Sequence, residues 1–150
     1  DRDFVLNDEQ YAGASILVAG PNSGTGSSRE HAVWAIQDYG FRAVISPRFA
    51  DIFRNNATKC GLVPVQVDAA VGEALMRAVQ EDPTLEITID VERGTVAAPA
   101  AGIEADFEMD ENTRHRLVNG LDDIGLSLQH VTEIDTYETT RPAWLPSVRA

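Results

Sequence analysis

Residues 15–46, with the sequence SILVAGPNSGTGSSREHAVWAIQDYGFRAVIS, set the architecture of this chain. The short apolar run at 15–19 is typical of a strand that is buried on both faces. Residues 28–39 place apolar side chains at helical spacing and end at Gly40, a usual residue after a helix. Residues 42–46 repeat the short apolar run. A strand, a helix and a strand within about 30 residues predict a right-handed βαβ unit with a parallel sheet.

The same alternation continues towards the C-terminus and predicts an α/β fold. A helix is expected over 48–59, a third buried strand over 62–67 and a helix over 71–80. Alternating apolar and polar residues predict strands over 85–91, 95–98 and 103–107, the first two joined in a hairpin by Arg93 and Gly94. The last third is expected to be helical over 111–119, 121–128 and 131–137, followed by an extended tail over 139–150.

Helical spacing also predicts which side chains are buried. The first helix is expected to bury Ala32, Ala35, Ile36 and Tyr39, and the second to bury Phe49, Ile52 and Phe53. The predicted core residues of the C-terminal helices are Leu117, Val118, Leu121, Ile124, Leu126 and Ile134.

Length and composition exclude several classes of protein. The chain has 150 residues, of which 43% are hydrophobic and 24% charged, as expected for a single globular domain. A net charge of −12 repels a phosphate backbone, so we expect no nucleic-acid partner. No apolar stretch approaches the roughly 18 residues of a membrane span, and no leader pattern opens the chain, so we expect a cytoplasmic location and no membrane partner.

Cys60 is the single cysteine, and this count limits the chemistry of the chain. It excludes an intrachain disulfide, a site of several thiolate ligands and an iron–sulfur cluster built from this chain by itself. We therefore expect no metal bound by this chain.

The glycine-rich segment at 20–31 carries the candidate site. It joins the first strand to the first helix, where unpaired backbone N–H groups and the positive end of the helix dipole favour an anion. The dinucleotide motif G-x-G-x-x-G would need glycine at Arg29, and the P-loop motif would need a lysine that is absent. A guanidinium one residue beyond Ser27 and Ser28 suits a carboxylate, because it donates two parallel hydrogen bonds.

A purely structural interpretation of this segment is also open. Ser27 and Glu30 match the S-x-x-E capping box, in which both side chains only satisfy N–H groups at a helix start. Two glycines, two serines and an arginine between Gly24 and Glu30 are more than one cap requires. His31, in the first turn of the helix, is more typical of a surface or packing residue than of a ligand.

The remaining polar candidates carry weaker signals. His115 and His130 have no Asp, Glu or Cys at metal-ligand spacing and are expected to be structural. Arg48 and Arg54 either face the same sheet edge as Arg29 or are solvated helix charges, and the second interpretation is favoured.

Several blocks together resemble the swivelling domain of the aconitase superfamily. They are residues 24–31, Trp34-Ala35, Val44-Ile45, residues 49–56 and residues 61–64. Residues 119–130 and Tyr137-Glu138 are similar to the C-terminus of the bacterial 3-isopropylmalate dehydratase small-subunit family. The resemblance implies a three-layer β/β/α domain with a partly parallel sheet and C-terminal helices. It also implies that 1–150 is a single swivelling domain that lacks an N-terminal segment carried by full small subunits.

The resemblance implies a hydro-lyase that acts only with a large subunit, a partner that carries a 4Fe-4S cluster. The pair would dehydrate and rehydrate 2-isopropylmalate to 3-isopropylmalate in leucine biosynthesis. Ser27 would be the base, Arg29 would bind a carboxylate of this hydroxy-dicarboxylate, and Ser28 would complete the local hydrogen bonding. Gly24, Thr25, Gly26, Glu30 and His31 would support the loop and the helix start.

Two alternatives stay open from the sequence. The substrate class admits homoaconitate or citramalate, because the loop that senses the substrate side chain is not among these residues. A noncatalytic anion-binding module, in which Ser27 and Glu30 only cap the helix, would use the same N–H groups.

Overall fold

The structure is a computed structural model that describes residues 4–26 and 29–146. The chain divides into two compact units, Asp1–Gly120 and Leu121–Ala150. The prediction that the whole chain forms one domain stays a prediction. Within the described ranges, no helix has both the length and the apolar character that a membrane crossing requires.

A three-stranded parallel sheet forms the centre of the first unit. Its strands are β1 (Ile16–Val18), β2 (Ala43–Ser46) and β3 (Val63–Gln66), in the order β1-β2-β3. Leu17 pairs with Val44, and both neighbouring pairs of strands run parallel. The three apolar runs bounded by turn residues are therefore confirmed as strands of a parallel sheet.

Three helices alternate with these strands. They are α1 (Glu30–Tyr39), α2 (Asp51–Lys59) and α3 (Ala69–Glu81). Helices α1 and α2 cover one face of the sheet through a buried cluster that includes Val33, Val44, Phe49, Phe53, Ala57 and Leu62. Helix α3 packs against the other face, where Leu75 is fully buried.

A second sheet is antiparallel and consists of β4 (Thr88–Asp90), β5 (Thr95–Ala98) and β6 (Ile103–Asp106). Its inner face meets the parallel sheet and α3 in one core, whose buried members are Ile45, Val65, Val67, Leu75, Val96, Ala98, Phe107 and Met109. The order of layers is therefore antiparallel sheet, parallel sheet and helices α1 and α2. This arrangement confirms the expected three-layer β/β/α fold class.

The C-terminal helices are α4 (Glu111–Asn119), which ends the first unit, and α5 (Asp123–Leu128) and α6 (Val131–Thr140) in the second. Their existence is confirmed, but none of their six predicted core residues is buried, and three are exposed. Val118, Ile124 and Ile134 are exposed. On α4, Leu117 packs against the core, so the next residue, rotated by about 100°, faces solvent. None of the residues 121–146 is buried, since helices this short enclose no core.

The inner face of α1 is rotated relative to the prediction. Val33 is fully buried and Ile36 is half-buried, whereas Ala32, Ala35 and Tyr39 are exposed. The small alanines fitted either face of the helix, and the larger Val33 sets the face that packs on the sheet. Phe53 on α2 and Phe49, which precedes the helix, are buried as predicted, but Ile52 is 60% exposed.

Candidate functional site

The candidate site lies at the edge of the parallel sheet where its strands end. In a parallel sheet the carboxyl ends of all strands meet at one edge, and this is where α/β proteins bind ligands. Helices α1, α2 and α3 are each the next helix or strand in the chain after one of these strands. The glycine-rich segment is the connection from β1 to α1, so it lies at this edge.

The connection from β2 to α2 anchors the glycine-rich segment through its backbone. Ser23 N–H donates to the Arg48 carbonyl at 3.0 Å, and Ala50 N–H donates to the Ser23 carbonyl at 2.9 Å. Ser23 and Phe49 thereby form an isolated parallel bridge. Because this bridge requires extended backbone, α2 begins at Asp51 and not at residue 48 as predicted.

A buried hydroxyl group joins the two connections at their base. Ser46, the last residue of β2, is fully buried. Its Oγ lies 2.9 Å from the Gly20 carbonyl and 2.9 Å from the Arg48 carbonyl, within donating distance of either, and it accepts the Arg48 N–H at 3.3 Å. One small side chain thus fixes the start of both connections. Sequence analysis missed Ser46, because nothing in a four-residue apolar run marks its final serine as a connector.

Gly24 brings the glycine-rich segment into direct contact with α2. Its φ is +76°, and a Cβ atom at this position would lie 2.4 Å from both Cβ and Cγ of Phe53. A side chain is therefore disfavoured by the backbone conformation and excluded by space. The expected supporting role of Gly24 has a specific basis, which is close approach of the segment to the phenylalanine of α2.

The three helices at this edge begin without a side-chain cap. The N-cap residues of α1, α2 and α3 are Arg29, Ala50 and Asp68, and none of these side chains accepts a hydrogen bond from its helix. By contrast, Asp110 and Asp122 cap α4 and α5 with their side chains. Among the described residues, no N-cap side chain occupies the first-turn N–H groups of these three helices, and the helix dipoles favour an anion at this edge. The sequence pointed only to the first of these helices.

The start of α1 departs from the capping-box geometry. That motif places glutamate at the third helical position, whereas Glu30 is the first residue of α1 and Arg29 is its N-cap. The Glu30 carboxylate instead accepts a hydrogen bond from the Cys60 thiol, with Sγ 3.5 Å from Oε1. Desolvation of Cys60, followed by this hydrogen bond, raises the pKa of the thiol. Ser27, the other member of the motif, lies outside the described residues.

The other predicted site residues have the following positions. Arg29 is exposed at the start of α1, and Thr25 and Gly26 are exposed in the segment before it. The exposed His31 ring lies 4.8 Å from the Trp34 ring between centroids, a packing contact one turn along the helix. Ser27 and Ser28 lie outside the described residues, so their predicted roles stay predictions.

Arg48 and Arg54 occupy different environments. Arg48 is exposed at the sheet edge, so it is a solvated charge as expected, but it lies on the connection before α2 and not on a helix. Arg54 is on α2, half-buried, and contributes to lowering the pKa of Asp110 through its positive charge. Only Arg48 therefore belongs to the loops at the site.

The two remaining histidines lie on or next to the C-terminal helices. The ring Nδ1 of His115 lies 3.2 Å from Nδ2 of Asn119 on α4, and His130 precedes α6 in the second unit. Among the residues that the structure describes, no three His, Cys, Asp or Glu side chains come together as a metal site. The arrangement offers backbone N–H groups, helix dipoles and guanidinium groups, which together bind and orient an anion.

Two protein families match parts of the chain. The family described as the aconitase C-terminal domain matches residues 1–70. The family described as the C-terminal domain of the 3-isopropylmalate dehydratase small subunit matches residues 123–146. The first match includes the glycine-rich segment and its anchor, and the second covers α5 and α6.

Whole-chain comparisons give the same family. The chain is 61% identical to the 3-isopropylmalate dehydratase small subunit of Frankia alni, over 98% of this chain and 74% of that protein. It is 53% identical to the protein of the same name from Rubrobacter xylanophilus, over 99% of this chain and 75% of the relative. The crystal structure of a 3-isopropylmalate dehydratase from Methanocaldococcus jannaschii matches with a TM-score of 0.61 and 28% identity, over 81% of this chain and 68% of that one.

Proposed function

Because this chain belongs to the family of 3-isopropylmalate dehydratase small subunits, we propose that it forms half of an active site that isomerises 2-isopropylmalate to 3-isopropylmalate. The reaction removes water from the substrate and adds it back at the neighbouring carbon. It is a hydro-lyase reaction and a step of leucine biosynthesis. The observation that carries the proposal is the glycine-rich segment, which places Arg29 at the N-cap position of α1.

The proposal requires a large subunit as partner, since the relatives are named as small subunits. A 4Fe-4S cluster needs three or four thiolate ligands, and this chain has one cysteine, so its residues do not fit the cluster. We assign the cluster to the large subunit. A cytoplasmic location is part of the proposal. The net charge of −12 supports the expectation that the chain binds neither nucleic acid nor membrane.

The substrate has two carboxylates, and the described residues suit the binding of one of them at α1. The Arg29 guanidinium would donate two hydrogen bonds to that carboxylate, and the first-turn N–H groups would add to the positive field. This contact would fix the orientation of the carbon whose proton is removed. Ser28 would complete the hydrogen bonding to the same group.

Ser27 is proposed as the base that takes the proton next to the carboxylate. A serine hydroxyl is a poor base in water, and it serves only where N–H donors and positive charge favour the alkoxide. The start of α1 would supply both, with its first-turn N–H groups and the neighbouring Arg29. Gly24 would hold the segment against α2, so that this geometry exists before the substrate arrives.

Reconstitution with a cluster-bearing large subunit tests the proposed function. We expect the mixture to convert 2-isopropylmalate to 3-isopropylmalate faster than it converts homoaconitate or citramalate, and this chain alone to be inactive. Turnover by the isolated chain, or a mixture that acts on none of these hydroxy-acids, would contradict the proposal.

Substitution of Arg29→Lys tests the carboxylate contact in the same assay. An ammonium group keeps the charge but cannot form the two parallel hydrogen bonds of a guanidinium, so we expect KM to rise. An unchanged KM would remove Arg29 from the site. The exposed position of Arg29 makes loss of folding an unsuitable explanation for a rise in KM, and a thermal melt provides the control.

A further inference from the structure

We propose that Arg48 binds the second carboxylate of the substrate. This inference rests on the proposed function, which places a dicarboxylate at the carboxyl edge of the parallel sheet. No sequence motif marks Arg48, and the assignment comes from its place in the structure.

Arg48 lies at the same edge as Arg29 but on the neighbouring connection. It follows Ser46, the last residue of β2, by two positions, and its backbone is joined to the glycine-rich segment at Ser23. β1 and β2 are adjacent strands, so the two arginines stand on adjacent connections. A small dicarboxylate bound between these connections would have one charged end towards each.

The backbone of Arg48 is held in place before any ligand binds. The buried Ser46 hydroxyl contacts both the N–H and the carbonyl of Arg48, and the carbonyl also accepts the Ser23 N–H at 3.0 Å. A guanidinium on a fixed backbone loses less freedom on binding than one on a mobile loop. A fixed backbone is equally typical of a binding residue and of a structural residue. The environment of the Arg48 side chain distinguishes the two roles.

The side chain of Arg48 is exposed, and its guanidinium makes no hydrogen bond or ion pair within 4–26 and 29–146. Two other arginines of the first unit, Arg93 and Arg114, are engaged. Arg93 pairs with Asp90 at 3.7 Å, and Arg114 donates to the carbonyls of Glu92 and Met109, both at 3.4 Å. In a chain with twice as many acidic as basic residues, an unpaired guanidinium beside a binding loop is available to an anionic ligand.

The local charges of the two connections are alike. Arg29 immediately precedes α1, and Arg48 lies shortly before the start of α2, and neither helix has a side-chain cap. Asp51 opens α2 with a negative charge, so the helix end alone would hold a carboxylate weakly. Arg48 supplies the positive charge that makes this second position suitable for an anion.

Substitution of Arg48→Gln in the reconstituted two-chain enzyme tests the inference. We expect KM for 2-isopropylmalate to rise about 10- to 100-fold, the loss typical of one charged hydrogen-bonded contact, while kcat changes little. Arg42→Gln is the matched control, since Arg42 directly precedes β2 at the opposite edge of the sheet. It should leave KM unchanged.

Competitive inhibitors identify the group that Arg48 contacts. Isopropylsuccinate carries both carboxylates, whereas 2,3-dimethylbutanoate and 4-methylpentanoate each lack a different one. If Arg48 binds a carboxylate, Arg48→Gln weakens the binding of isopropylsuccinate and of only one of the two monocarboxylates. An equal effect on both monocarboxylates, an unchanged KM, or a fall in kcat alone would overturn the inference while the proposed function stood. An inactive wild-type mixture would overturn both.

Discussion

Replacement of Gly24 by alanine tests whether close packing of the glycine-rich segment on α2 builds the site. The added Cβ would lie 2.4 Å from Cβ and Cγ of Phe53, more than 1 Å inside the normal contact distance of about 3.5–4.0 Å. The Phe53 Cβ is attached to the backbone of α2 and cannot rotate away. The segment must therefore move, which costs about 1–3 kcal/mol for overpacking. The left-handed backbone adds about 1–2 kcal/mol.

Urea unfolding of Gly24→Ala should therefore show a loss of about 2–5 kcal/mol in the free energy of unfolding. Gly13→Ala separates the two contributions, because Gly13 has a φ of +82° and nothing lies within 4 Å of its Cβ position. That control should lose only about 1–2 kcal/mol. In the reconstituted enzyme, Gly24→Ala should also lower kcat. If Gly24→Ala were no less stable than Gly13→Ala, the packing argument would be refuted.

Three further predictions concern single side chains. Ser46→Ala removes a buried hydroxyl that lies within donating distance of the Gly20 and Arg48 carbonyls and accepts the Arg48 N–H, so it should cost about 1–3 kcal/mol in chemical unfolding, and a loss under about 0.5 kcal/mol would contradict this. The pKa of Asp110 is lowered by hydrogen bonds from Thr113, so its stabilising effect is present above its ordinary value of 3.8 and is lost as pH falls through the lower folded value. Asp110→Asn should thus differ from wild type in urea unfolding at pH about 6, with a difference that shrinks below pH about 3.8, and a pH-independent difference would refute the argument. The hydrogen bond to Glu30 contributes to raising the pKa of Cys60, and the thiolate is the form that reacts. Glu30→Gln should therefore speed alkylation of Cys60 by iodoacetamide at pH about 7.5, and an unchanged rate would contradict this argument.

The fold was predictable where the signal was local. The apolar runs of β1, β2 and β3 and the helix stop at Gly40 are properties of a few adjacent residues, and each was confirmed. Predictions failed where distant contacts decide. The start of α2 moves to Asp51 because Ser23, more than twenty residues earlier, pairs with the backbone on either side of Phe49.

The candidate site was predictable in type but not in construction. A glycine-rich segment before a helix indicates an anion site from composition alone. The contact of Gly24 with Phe53 and the connector role of Ser46 depend on tertiary structure. No periodicity in the sequence encodes such contacts between separate connections.

The most direct test of the account is kcat of the reconstituted enzyme carrying Ser27→Ala. If this serine is the base at the start of α1, kcat should fall by about 10²- to 10⁴-fold while the thermal melt and the complex with the large subunit are preserved. Retained kcat, with only a loss of about 0.5–2 kcal/mol in stability, would show that the serine merely caps a helix and would contradict the account.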